Sequence, residues 1–562
     1  MDRRNFIRTG GMALLGSLAA GSALAIPSVK GALGGADQKA ALSQAMNHFG
    51  VGEEDKKRPD IKGFKLCSAL EKGGDYADLF FEHTFTNVIS LKDGAVNSCN
   101  SYIDFGMGVR VLAGDQTGYA YVENVTLDDM LNAARTAARI ASGKKKYGPV
   151  RLAEKTLKKN YYPITTPWEE ISLKDKMPYL QKLNDKIFAL DKRVSKVMAN
   201  QSDSTSHILF CNSEGVMYYD YRPMVTLGAV CIMEENGKTE NSYAARAYRK
   251  GFEFLSDDLV DILAREAVDN TAILFKAIKP KGGEMPVVMG AGGSGILLHE
   301  AIGHAFEADF NRKNVSIFSD QLNKKVCNEH ISVIDDGTIP FNRGSVNFDD
   351  EGVEGQKTYL VKEGVLTSYM HDRISAKHYG IAPTGNGRRE TFRNMPIPRM
   401  RATYMEPGNM KEEDIIASVK QGIFVDQFTN GQGQIGAGDF TFFVKSGYLI
   451  EDGKLKFWRL RVPEPEFNAT YKKGLGKPEV WECEVPVKGT YTSHPGIINN
   501  FAEAIRKGVK PIAPGTEGIK GLQISNGIHL SSWLGGQWID LPVDENLFLE
   551  KLQEHCKETV IF

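Results

Sequence analysis

The stretch Gly290–His304, GAGGSGILLHEAIGH, holds the residues best suited to chemistry, and it supports two readings. From its left end, glycines 290, 292 and 295 spell GxGxxG after the apolar run Pro286–Met289, the backbone a dinucleotide pyrophosphate turn requires, with Asp320 as a candidate ribose acid. From its right end, His299 and His304 offer two imidazole ligands, and Glu300 offers a carboxylate able to take a proton from activated water: the donor set of a zinc hydrolase. The nucleotide reading puts these three polar residues where small apolar ones normally pack a helix onto a parallel sheet, and no series of strand–helix alternations follows. The metal reading needs a distortion. Residues five apart on a regular helix point about 140° away from each other, so a bulge must bring both rings to one ion, and Gly303 is placed to supply it. With eleven histidines in 562 residues, this pairing favours zinc, and the glycine run then lets backbone approach the site closely. Two unrelated histidines at a helix end are the plainer alternative.

The elements that must position these residues are mixed. Residues 61–280 show strand-like alternation from about Phe64 to Tyr121 and again over 194–234, with helices expected at 126–142, 172–190 and 257–277. The first has Thr126 as N-cap and an acidic first turn. Residues 281–454 contain the histidine motif among short strands and glycine turns, with a helix expected at 411–422. After about Gly453 the character changes again, so 455–562 reads as a further segment. The expected fold class is α+β: two domains, 61–280 and 281–454, with an additional C-terminal α+β fragment.

Composition narrows the function classes. A net charge of −1 provides no general attraction for nucleic acid or a membrane surface. Arg3-Arg4, Phe6, an apolar run over about 10–25 and the small-x-small ending Ala23-Leu24-Ala25 are expected to form a twin-arginine export signal (1–25), followed by a linker (26–60). The mature chain is then expected in a periplasm, away from the membrane. Seven scattered cysteines without CxxC spacing argue against a disulfide framework and are expected to be mostly small buried hydrophobes.

HEAIGH, together with GMGVRVLAGDQTGYAYVENVTLDDMLNAARTAARIA (106–141), FDDEGVEGQKTYLVKEGVLTSYMHDRISA (348–376), GNGRRETFRNMPIPRMRATYMEPG (385–408) and GAGDFTFFVKSGYLIEDGK (436–454), resembles the TldD branch of the TldD/PmbA metallopeptidases over roughly 60–454. The resemblance implies His299 and His304 as zinc ligands and Glu300 as general base. It also implies a two-domain α+β fold, dimers (homodimers or heterodimers with a PmbA-type subunit) and unfolded peptides as substrates, bound as added strands. Arg388, Arg389 and Arg399 fall in the matching arginine-rich stretch. They are expected either to contact substrate or to be buried against Asp349, Asp350 or Glu351.

The resemblance further implies a third ligand, a cysteine in a Gly-x-Cys-Gly segment after the stretch matching SGYLIEDGK, and this sequence has no such segment. From about Lys454, EFNATYKKGLGKPEVWECEVPVKG and the residues from His494 to Gln553 instead resemble the C-terminal end of Gfo/Idh/MocA oxidoreductases, without their nucleotide-binding domain. Cys483 is the one cysteine near enough in sequence to stand in. The expected function is zinc-dependent proteolysis, impaired if the third ligand is not replaced. A non-catalytic peptide-binding subunit on the same scaffold, and a nicotinamide oxidoreductase suggested by GAGGSG and the tail, are the alternatives.

Overall fold

The computed structural model describes residues 69–458 except 144–151, 156 and 278–282, together with most of 43–49 and a few positions between 530 and 551. The expected signal, most of the expected linker, Cys483 and nearly all of the C-terminal segment lie outside the described residues. The chain divides into two compact units, one of residues 1–280 with 285–459, the other of 281–284 with 460–562. The first holds the histidine motif. Among the described residues no helix is long and apolar enough to cross a membrane.

Two lobes make up the first unit, and the two-residue period of strands decides how they join. The N-terminal lobe is a seven-stranded sheet with strands β1 (Tyr76–Lys92), β2 (Ala95–Ala113), β3 (Gln116–Val122), β4 (Ala153–Glu154), β5 (Val194–Asn212), β6 (Val216–Glu235) and β7 (Lys238–Tyr248). Its order is β3-β2-β1-β5-β6-β4, with β7 also pairing β6, and every pairing but β4 with β6 is antiparallel. Side chains alternate between the two faces. Leu79, Phe81, Leu209 and Cys211 pack with helix α1 (Leu127–Ile140) and with Ala45, Met46 and Phe49. Further along, Ile89, Leu91, Val197 and Ala199 pack under α2 (Leu173–Leu190) and α3 (Asp257–Ala272). The intervening positions Phe80, Ile208, Phe210 and Tyr218 face the other way and meet Phe348 and Phe392 of the C-terminal lobe.

The expected helix starts are formed as their cap residues dictate. The Thr126 hydroxyl accepts the Asp129 N–H, Ser172 and Asp175 make a reciprocal capping box, and the Ser256 hydroxyl accepts the Leu259 N–H.

In the C-terminal lobe, β8 (Val287–Met289) opens the motif. The four-stranded sheet with β9 (Val333–Asp336), β10 (Lys357–Lys362), β11 (Val365–Leu366) and, after α4 (Arg373–Tyr379), β14 (Thr403–Met405) runs β11-β10-β9-β14. A two-stranded ribbon pairs β12 (Gly387–Arg388) with β13 (Ile397–Pro398). A second four-stranded sheet has the order β17-β16-β15-β8, with β15 (Gln421–Gln434), β16 (Asp439–Glu451) and β17 (Lys454–Trp458).

The helix expected at 411–422 is cut short. α5 covers only Glu412–Ala417, because from Gln421 the backbone pairs on both sides, with β16 and with β8. Long-range strand pairing outweighs the local helical spacing. The same pairing removes the dinucleotide geometry. β8 lies at the edge of a sheet whose other pairings are antiparallel, and the helix after Gly295 is a single α turn. Among the described residues Cys99, Cys211, Cys231 and Cys327 form no disulfide; Cys211 and Cys231 are buried, as small hydrophobes are.

Candidate metal centre

The distortion demanded by the five-residue spacing is present. After the α turn Ile296–Leu298 the backbone widens to a π-helical segment, His299–Gly303, and closes with a 3-10 turn, His304–Phe306. The His304 N–H donates to the His299 carbonyl, a bond five residues back that stacks the two side chains on one face. Their ring centroids lie 4.7 Å apart. Gly303 takes part, though not through left-handed backbone: its φ is −56°. A Cβ there would sit 2.3 Å from the Met400 sulfur, so any side chain at this position would have to displace the buried Met400 thioether.

Donor atoms of His299, Glu300 and His304 all lie within 4.8 Å of one another. Ligands about 2 Å from a tetrahedral zinc stand roughly 3.3 Å apart, so small side-chain rotations would bring this set to one ion. Two imidazoles beside a carboxylate suit zinc by donor type as well. The His299 and Glu300 side chains are 43% and 28% exposed, which leaves the cluster reachable from solvent. Among the described residues no histidine or cysteine joins them as a third ligand of the expected kind.

The surroundings treat the two imidazoles differently. His304 Nδ1 bonds Glu307 Oε2 at 3.1 Å, and that bond, ahead of opposing burial, raises the His304 pKa. The His299 pKa is lowered, first by burial, then by His304 and the charge of Arg388, with Glu300 opposing. Glu307 is fully buried where the helix ends, its pKa raised by desolvation, and it also receives Arg399 Nη1 at 3.0 Å. From above, β15 crosses the motif so closely that a Cβ on Gly433 would lie 2.5 Å from the Glu300 carbonyl oxygen.

The three arginines therefore part company. Arg388 is exposed on β12, and its charge reaches His299. Arg389 is buried: it donates to Asp78 at 2.7 Å and to Tyr119, while its backbone N–H bonds Asp350. Its guanidinium is engaged with Asp78, Tyr119 and the Asp350 and Asn394 carbonyls, and so bonds the two lobes. Arg399 is committed to Glu307. Glu307 and Met400 were not foreseen. An acid three residues after a ligand histidine is a signal the sequence carries; the contact of Met400 with Gly303 crosses nearly a hundred residues and leaves none.

Three family models match successive stretches of the chain. Residues 77–141 match the PmbA/TldA metallopeptidase domain 1, residues 166–275 its central domain and residues 282–459 its C-terminal domain. A metalloprotease TldD homolog of Haemophilus influenzae is 38% identical over 393 residues, 68% of this chain and 80% of that protein. A zinc metalloprotease TldD homolog of Saccharolobus solfataricus is 26% identical over 399 residues, covering 70% of this chain and 84% of the other. The crystal structure of TldE from Thermococcus kodakarensis has the same fold, with a TM-score of 0.58 at 21% identity over 70% of this chain and 89% of that one.

Proposed function

The chain belongs to the PmbA/TldA (TldD/PmbA) metallopeptidase family, and from that premise we propose that it is a zinc-dependent peptidase acting through His299, Glu300 and His304. The observation that carries the reading is the π-helical turn, which overcomes the five-residue spacing and sets both imidazoles beside one carboxylate. His299 and His304 hold the ion. Zinc, when bound, supplies Lewis acidity for activating water and polarising a carbonyl. Glu300, with Oε1 4.0 Å from His299 Nε2, stands next to the ligand pair, where its carboxylate oxygen accepts the proton of the attacking water and returns it to the leaving amine. Arg388 meets the peptide. Substrates are unfolded chains that enter as added strands, export is by the twin-arginine route to the periplasm, and assembly is with a second copy or a PmbA-type subunit.

The test is hydrolysis of a fluorogenic peptide library by the purified full chain. Chelation and His299→Ala are each expected to abolish cleavage, and Glu300→Gln to lower it at least about 100-fold while zinc stays bound. Cleavage that survives both chelation and His299→Ala would overturn the reading. The lack of a histidine or cysteine third ligand among the described residues favours a second reading, a non-catalytic peptide-binding subunit. It predicts that purified protein carries well under one zinc per chain, whereas the peptidase carries about one.

A further inference from the structure

We infer that Glu307 is the positioning residue of the metal centre, and that Arg399 supports Glu307 through its Nη1; this rests on the zinc reading above. A neutral imidazole has one N–H and one lone pair, and whatever accepts the N–H decides which nitrogen can ligate. Glu307 Oε2 accepts from His304 Nδ1, so the Nε2 lone pair is the one left for a metal. The same bond sets the rotation of the ring about its χ angles.

Three features make the carboxylate a fixed support. Its residue is fully buried, so the carboxylate end of the bond is shielded from water. It sits where the helix ends: the Ala308 N–H donates to the Met370 carbonyl, the Met370 N–H to the Phe306 carbonyl, and the Asn311 amide to the Glu307 carbonyl, so the main chain on both sides is tied. Arg399 Nη1, on the segment that also carries Met400 against Gly303, donates to the same Oε2 and supplies the countercharge a buried carboxylate needs. With two histidines as the imidazole ligands found among the described residues, each carries a large share of the affinity and depends on such support.

The test is zinc affinity of the full chain, read by competition with a chromophoric chelator and thus independent of turnover, alongside thermal unfolding of the metal-free protein. Glu307→Ala is expected to weaken zinc binding about 10- to 100-fold. Glu307→Gln, which keeps one acceptor oxygen in a side chain of similar shape but loses the charge and replaces the other oxygen with an NH2 donor, is expected to weaken it about fivefold. Arg399→Gln should fall between the parent and Glu307→Ala. If Glu307→Ala does not fold, Glu307→Gln decides. Zinc affinity within twofold of the parent in the folded variants, with any effect confined to the unfolding temperature, would overturn the inference and leave a merely structural glutamate. In that event loss of zinc in His299→Ala would leave the zinc reading standing; a parent chain that takes up no zinc overturns both.

Discussion

At the scale of single residues, the site depends on a missing methyl group. Met400 is buried and occupies the space that any side chain at position 303 would need. Gly303→Ala is expected to destabilise the fold by about 1–3 kcal/mol, the usual cost of overpacking. Because the clash is with a flexible thioether, Gly303→Ala combined with Met400→Ala should cost less than the sum of the single changes, as residues in contact do. Urea midpoints of the four proteins check this; strict additivity would mean that the helix, and not Met400, excludes a side chain. The spacing of His299 and His304 and the need for a distortion were legible in the sequence. The form of that distortion was not, since it depends on a side chain almost a hundred positions away.

At the scale of elements, the residues before the first strand complete the N-terminal lobe. His48 shares a ring-to-ring hydrogen bond with His83 of β1, between the packing beneath α1 and that beneath α2. Facing them are Phe49, Phe105 and Phe85, and His207, which is itself held by Tyr219 and Glu169, with Tyr221 beside it. Burial comes first among the causes that push His48 down to about 4 and His83 down to about 3; for His48 the neighbour His207 adds to it, and for His83 both other histidines do, against Glu169. Both are lowered in the folded state, so the unfolded chain binds more protons between its own histidine value of about 6.5 and these depressed values. The stability they contribute is therefore complete above pH 6.5 and falls away as the pH drops toward 4 and 3. Urea midpoints are expected to fall between pH 7.5 and pH 5, and His83→Gln should flatten that dependence. A parallel decline in the variant would assign the acid sensitivity to other groups.

At the scale of the whole molecule, the N-terminal sheet and the C-terminal lobe are joined by buried charge as well as by the Phe80, Phe210, Phe348 and Phe392 cluster. Asp78 on β1 binds Arg110 of β2 and Arg389 of the other lobe, Arg110 reaches Glu351, and Arg222 of β6 bonds Asp350 at 2.6 Å. Of these groups, Arg389 directly follows β12, which carries Arg388, and Asp350 bonds the Arg389 N–H, so the interface and the candidate metal centre share a support. Removing one partner of a buried pair strands the other. Arg389→Ala is expected to cost about 3–5 kcal/mol, whereas Lys182→Ala, which breaks the exposed pair with Asp257, should leave stability nearly unchanged. Chemical denaturation of both variants checks the contrast; equal losses would mean that the buried network is not what holds the lobes together.

What the sequence determined by itself was the local grammar: the α+β class, the helix starts near 126, 172 and 257, the first with Thr126 as its cap, and the family to which the HEAIGH motif and its flanking stretches point. Each depends on neighbours a few residues apart, whose periods and side-chain chemistry can be read along the chain. The tertiary structure decided which groups meet. Gly303 under Met400, Arg399 beside Glu307, and Arg389 drawn away to Asp78 are encounters across about ninety to three hundred positions. The same distance effect turned the end of the expected 411–422 helix into β15. Side-chain type alone does not specify such partners: a buried charge or an unfilled volume is satisfied only by whatever the folded backbone brings beside it.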